Sequence, residues 1–439
     1  MIGKSWLEFM LDMYHHIMLF CPAGHRTYLI LIYREVRFDH VSDPKVDFRH
    51  LEDPEVNFKN ANINVGLPVF TIHGNHDDPV GSRKISAVDH LASAGLLNHF
   101  GMYDNLNEID IRPLLLQKGT TKLALYGLGC MKDERLFRMF RDRKVRFLRE
   151  EQELESWFNL FVLHQNRVKH GPKNYIPSMF LPSFLQLVIW GHEHECKITP
   201  EEEGTGSLDT EDGRNCTSKV YISQPGSSVA TSLAPGEKEE KKIGILFIRG
   251  TGFQMKPMKL KTVRPFLMQD LYTSQILEHQ KAVRDRDKFL EEYVTARVNE
   301  LIEESADQLT GHNKQPVNPL IRIRIGYDHE SEMFNPVRFA QKFVGKVAND
   351  NIVAFVKCPK KGEKLGSLDV ADLQELIMEE EDHDLEGHVE EIVETFFTLG
   401  RQNNERDKIL EVLSEKGLAE AVKACVEKND KEAVSEIVE

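Results

Sequence analysis

No stretch of the 439 residues reaches the ~18 consecutive apolar side chains that a helix needs to cross a bilayer, so no membrane-spanning segment is expected. The apolar character of residues 1–33 is broken by Glu8, Asp12, His15 and His16 before any convincing cleavage site, which argues against a secretory leader. The six cysteines, Cys21, Cys130, Cys196, Cys216, Cys358 and Cys425, form no C-x-x-C pair. Their scatter excludes a regular disulfide framework and suits free thiols in a reducing compartment. No internal repeat is present, which excludes a solenoid.

Basic charge is also scarce overall, with a formal net charge of -14. That deficit is local. Ser367 to Glu439 holds 22 acids and 7 bases, so Met1 to Gly366 stands at +1. A near-neutral body can still turn a basic face to phosphates. The length allows two or three domains, and 41% hydrophobic with 29% charged residues fits globular folding.

The runs LPVFTI (67–72), KLALYG (122–127), LFVLH (160–164), LVIWG (187–191), VYIS (220–223) and IGILFI (243–248) are short, apolar and end in Gly, His or polar loops. They predict buried strands. Helices are expected between them at 83–97, 133–143 and 178–186, the last interrupted by Pro182, and the alternation implies a layered α/β domain. A strand at 27–33 and a charged loop at 41–59 precede it, and 201–216 is expected to be an acidic surface loop. Beyond Arg264 a long amphipathic helix at 275–306, a strand at 319–327 and a helix at 336–348 predict a second, smaller α+β domain. A turn-rich linker at 357–367 then leads into an acidic helical tail.

Three polar blocks follow strands: IHGNHDDP (72–79), LFVLHQNR (160–167) and GHEHE (191–195). Imidazoles and an amide oxygen at strand ends suit divalent ions such as manganese, and two such ions about 3.5–4 Å apart support in-line phosphodiester cleavage. An extended backbone through GHEH would point His192 and His194 the same way, with Glu193 facing elsewhere. Gly74 and Gly191 allow close backbone approach. A lone strand-end histidine such as His164 is more often structural, so the reading rests on all three blocks in this order.

With KLALYGLG, SWFNLF, YISQPGSSVATSL and VRFAQKFVGKVAN, these blocks make the chain, from about Val36 onward, resemble the double-strand-break repair nucleases of the meiotic-recombination-eleven family. The resemblance implies a metallophosphoesterase sandwich, incomplete at the N-terminus here, followed by a DNA-binding capping domain and a helical tail. The expected boundaries are an atypical segment at 1–60, phosphoesterase at 61–262, cap at 263–358, and linker with acidic ATPase-binding helices at 359–439. It implies manganese-dependent exonuclease and endonuclease activity in the nucleus. The implied partners are DNA, a Rad-fifty-type coiled-coil ATPase, a nibrin-type adaptor near KNYIP (173–177) and a second copy of the chain, with no membrane. Asn75, His164 and His192 would hold one Mn2+ and His194 the other, with His76 as the general acid.

The family also places an Asp-x-His block and a bridging Asp in a Gly-Asp block upstream of GNHD, and these 439 residues contain neither. That departure predicts weak, single-ion binding and little nuclease activity. A catalytically inactive scaffold that binds DNA and partner proteins is the alternative. A phosphoprotein or nucleotide phosphatase on the same fold is disfavoured by the capping-domain resemblance. Two further features stay open: Ile85, Val88, Leu91 and Leu96 suit either a core or a dimer face. Likewise the seven bases of RLFRMFRDRKVRFLRE (135–150) suit either phosphate contacts or a solvated helix. The chain ends soon after its tail helices, without the Gly/Arg-rich or basic extension the resemblance leads one to expect.

Overall fold

The computed structural model describes residues 36–358, apart from 53, 80–84, 104, 151–152, 170–172, 206–217 and 279–284. Residues 1–363 form one compact unit and residues 364–439 a second, which lies outside the described residues. The strand expected at 27–33 and the tail helices lie outside them too.

In chain order the first strands are β1 (Asp39–His40), β2 (Phe70–Thr71), β3 (Asn98–His99), β4 (Ile109–Ile111), β5 (Pro113–Lys118), β6 (Thr121–Leu128) and β7 (Val145–Phe147). Next come β8 (Trp157–His164), β9 (Leu187–Gly191), β10 (Lys197–Thr205), β11 (Ser218–Gln224), β12 (Lys242–Arg249) and β13 (Gly252–Lys259). The last three are β14 (Phe266–Tyr272), β15 (Leu320–Tyr327) and β16 (Val353–Lys357). The helices are α1 (Pro44–Asp47), α2 (Ala87–Ser93), α3 (Asp133–Arg141), α4 (Thr273–Leu277), α5 (Arg286–Glu304) and α6 (Pro336–Ala340).

A seven-stranded sheet in the order β1-β5-β6-β8-β9-β11-β10 organises the first part. Its centre, β6, β8, β9 and β11, is parallel, and such strands are covered on both faces. All eight residues of β8 are accordingly buried. Alternation assigns them to two cores. Phe161 and Leu163 pack with Leu136, Met139 and Phe140 of α3, whereas Phe158, Leu160 and Val162 pack with Phe48, Phe70 and Ile72. The segment before residue 60 thus joins this layer from β1 onward, with Phe48 and Val56 fully buried. The charged loop expected at 41–59 carries α1 and a 3-10 turn at Asn57–Lys59.

The second part is a parallel sheet β14-β15-β16 covered by α5. Leu290, Val294, Val298 and Leu301 of α5 recur at helical spacing and close a core with Ile321, Ile323 and Ile325. The molecule is therefore mixed α/β with a large central sheet, as the sequence predicts. No helix among the described residues is long and apolar enough to cross a membrane.

Five further element expectations differ. The one long helix expected at 275–306 is two, α4 ending at Leu277 and α5 starting at Arg286. Residues 178–186 give only a 3-10 turn, Ser178–Phe180, because Pro182 cannot donate in a helix interior. The helix expected at 336–348 ends at Ala340 and tightens into a 3-10 turn at Gln341–Phe343. The region 201–216 begins as strand, since β10 runs to Thr205 paired with β11. The helix expected at 83–97 is described only over α2, where Ser86 and Asp89 form a capping box.

Candidate metal centre

Strand register brings the three blocks together. β8 and β9 run parallel with His164 opposite Gly191, so the residue after β9 lands beside the end of β8. The chain leaving β2 reaches the same edge and turns at Asn75–Asp77, where His164 Nε2 lies 2.9 Å from Asn75 Oδ1. A Cβ on Gly74 would stand 2.8 Å from the His164 ring, so only glycine permits this approach. The His192 ring meets His164 edge to face, with centroids 5.2 Å apart.

GHEH is not extended. β9 stops at Gly191 and His192 takes φ 84, a left-handed conformation that costs a non-glycine residue energy. His192 and His194 are therefore not carried on one extended backbone. Glu193 does face elsewhere: its Oε1 accepts from the amides of Arg167 at 2.7 Å and Val168 at 2.9 Å, tying the loop after β8 to the loop after β9.

His194 belongs to a second cluster. Its Nδ1 lies 3.1 Å from Glu237 Oε1 and 3.0 Å from Thr231 Oγ1. Glu237 also accepts from the Thr231 amide, and buried Lys241 donates to Ser227 Oγ and to the His194 carbonyl. Burial alone would raise the Glu237 carboxyl, but its bonds with His194 and Thr231 hold it at about 2. The carboxylate thereby favours the proton on His194 Nδ1 and leaves the ring's lone pair on Nε2. Sequence reading missed Glu237 and Lys241. YISQPGSSVATSL hints at the segment, but Glu237 sits in the charged run GEKEEKK and looks like any surface acid there.

Burial, then the neighbouring His73, His76 and His194, hold His164 neutral with its pKa at about 3. Neutral imidazole is the ligating form. The structure thus brings Asn75, His164 and His192 together, with His194 on its own network and His76 exposed on the turn at Asn75–Asp77. The donor set of one amide oxygen and two imidazoles fits one divalent ion. Among the described residues, only His50, Asp89 and His99 form a group of three His, Cys, Asp or Glu ligand atoms within 4.8 Å of one another; His164, His192 and His194 do not.

The basic stretch at 135–150 lies on α3 and β7. Several of its bases already have acids: Arg138 with Glu134, Arg141 with Asp142, and Arg146 with Asp110. On α2 Val88 and Ala92 are buried with Leu97 just beyond it, whereas Leu91 on the helix and Ile85 before it are exposed.

Two family models match the chain: calcineurin-like phosphoesterase over residues 38–196, and the Mre11 DNA-binding presumed domain over residues 253–425. The double-strand break repair protein MRE11 of Rattus norvegicus is 41% identical over 411 residues, covering 92% of this chain and 55% of that protein. Its counterpart in Homo sapiens is 42% identical over 414 residues, with the same coverage of 92% and 55%. The protein of that name in Oryza sativa subsp. indica is 42% identical over 357 residues, 79% of this chain and 48% of that protein. The chain spans about half the length of the curated relatives it matches.

Proposed function

Because the chain belongs to the Mre11 family of calcineurin-like phosphoesterases, we propose that it is a subunit of a DNA double-strand-break repair complex, with DNA phosphodiesters as the substrate of its phosphoesterase domain. The observation that carries this reading is the convergence of Asn75, His164 and His192 at the ends of three segments far apart in sequence. The curated relatives' name, double-strand break repair protein, and the DNA-binding match over residues 253–425 support the substrate class.

In this reading Asn75, His164 and His192 hold one Mn2+ and His194 contributes to a second. A bound ion of this kind supplies Lewis-acid polarisation of a phosphoryl oxygen. The residues of the chain do the rest. Gly74 lets the Asn75 turn close on His164, Glu193 holds the two loops at a fixed spacing, and Glu237 favours one His194 tautomer. His76, exposed at the rim, donates a proton to the leaving oxygen. The cap at 263–358 contacts DNA, and the helices of 359–439 dock on a Rad-fifty-type coiled-coil ATPase. The surface near KNYIP takes a nibrin-type adaptor, Ile85 and Leu91 offer apolar contacts to a second copy, and the complex works in the nucleus.

One sequence fact favours a second reading for this polypeptide, the non-catalytic scaffold: its 439 residues hold no Asp-x-His block and no Gly-Asp. Titrating the chain with Mn2+ and assaying DNA cleavage decides between them. In the scaffold reading the expected outcome is at most one weakly held ion at the Asn75 cluster and little cleavage. Two ions bound there with rapid cleavage, lowered about 10²- to 10⁴-fold by His76→Ala, would establish the full nuclease and overturn the scaffold.

A further inference from the structure

Away from the Asn75 cluster, three segments bring His50, Asp89 and His99 together. His50 follows α1, Asp89 lies in the first turn of α2, and His99 ends β3. One ligand atom from each lies within 4.8 Å of the other two. His99 is fully buried, and its Nδ1 is 2.7 Å from Asp89 Oδ1. The His50 ring stands edge to face with His99, centroids 5.7 Å apart. Its Nε2 is buried and has no hydrogen-bond partner, a cost that proteins rarely accept without a ligand or a water. Desolvation, with His99 nearby, holds His50 neutral at physiological pH, its pKa lowered to about 4.

The hydrogen bonds behind His99 point the same way. His73 Nε2 lies 3.3 Å from the Cys130 carbonyl, which can only accept, so that nitrogen carries the proton and His73 Nδ1 offers a lone pair. That lone pair faces His99 Nε2 at 3.4 Å. With one ring proton, on Nδ1 towards Asp89, His99 Nε2 would turn its own lone pair on that of His73. A cation at His99 Nδ1, like a second proton on the ring, lets Nε2 donate to His73 and so satisfies this contact. This is the usual second bond of a metal-ligating histidine.

We propose that His50, Asp89 and His99 bind one divalent transition-metal ion of the zinc class, separate from the Asn75 cluster. Two imidazoles and a carboxylate with no thiolate suit such an ion, and a three-ligand set leaves a place for water. His50 also lines a cavity of about 470 Å³ with Arg49, Phe100 and Tyr103, which gives that water room and the ion a route in. The ion pins the segment after α1 to α2 and β3, so its role is to brace the layer that carries the Asn75 turn.

The test is a Co2+ titration of the full chain followed by visible absorption, with Zn2+ thermal shifts alongside, comparing His50→Phe with His192→Ala. The intense bands of tetrahedral cobalt and the zinc-induced rise in Tm should persist in His192→Ala. In His50→Phe the affinity of this site should fall by more than about 100-fold, beyond the range that loss of an outer hydrogen bond produces. If His50→Phe does not fold in chelator, His50→Gln carries the same prediction. Tetrahedral cobalt bands that survive the His50 substitutions in a His192→Ala background, bands that vanish in His192→Ala alone, or no binding by the unsubstituted chain overturns the proposal.

Discussion

Glu237 shows what a single residue contributes when its partners are buried with it. Its carboxylate accepts from the Thr231 amide, faces His194 and lies in a pocket with Lys241. Glu237→Gln keeps the volume but removes the charge, and should cost about 2 kcal/mol in urea unfolding. Its folded pKa of about 2 lies below the ordinary 4.5, so its stabilisation is complete above pH 4.5 and is lost as pH falls towards 2. The variant should be less acid-sensitive in that window. The candidate ligand residues of GHEH, GNHD and VLH stood out because their residue types are rare together at strand ends. Glu237 was not, because a carboxylate's burial depends on which loop folds over it. The backbone turn at His192 was equally hidden: nothing in GHEH says that its first histidine adopts φ 84.

Legibility at the scale of elements followed burial. β8 and β9 read clearly because strands covered on both faces are uninterrupted apolar runs. The alternation of β15 was as plain, although it lies between two parallel neighbours. β14, with its interior Gln269 and Asp270, and the short β4 and β7 carry no such run and were missed. α5 was visible through its stripe of Leu290, Val294, Val298 and Leu301. Leu290 is 1% exposed, and Leu290→Ala should cost about 2–5 kcal/mol, measured by chemical unfolding of the chain. The helices expected at 178–186 and 336–348 failed or shortened for local reasons, a proline in one and a tightened last turn in the other.

The whole molecule responds to pH through histidines that the fold keeps uncharged. Burial lowers His50 and His73 to about 4 and His164 to about 3, with neighbouring histidines adding to each shift. Their folded pKa values lie below the 6.5 of the unfolded chain, so the stability they contribute is complete above pH 6.5. It is lost as pH falls towards 3 to 4. Unfolding near pH 5 should take up about two to three protons, read from the slope of stability against pH with divalent ions chelated, and His164→Gln should reduce that slope. The same histidines divide what composition and order settle from what only folding does. By itself the sequence determined the mixed α/β class and supplied the candidate ligand side chains, because strand periodicity and residue chemistry are local properties. Only tertiary structure decided that Asn75 closes on His164, that His194 meets Glu237, and that His50, Asp89 and His99 meet. Each of those contacts joins segments 10 to 89 residues apart, and their distances are set by strand register and burial rather than by neighbours in the chain.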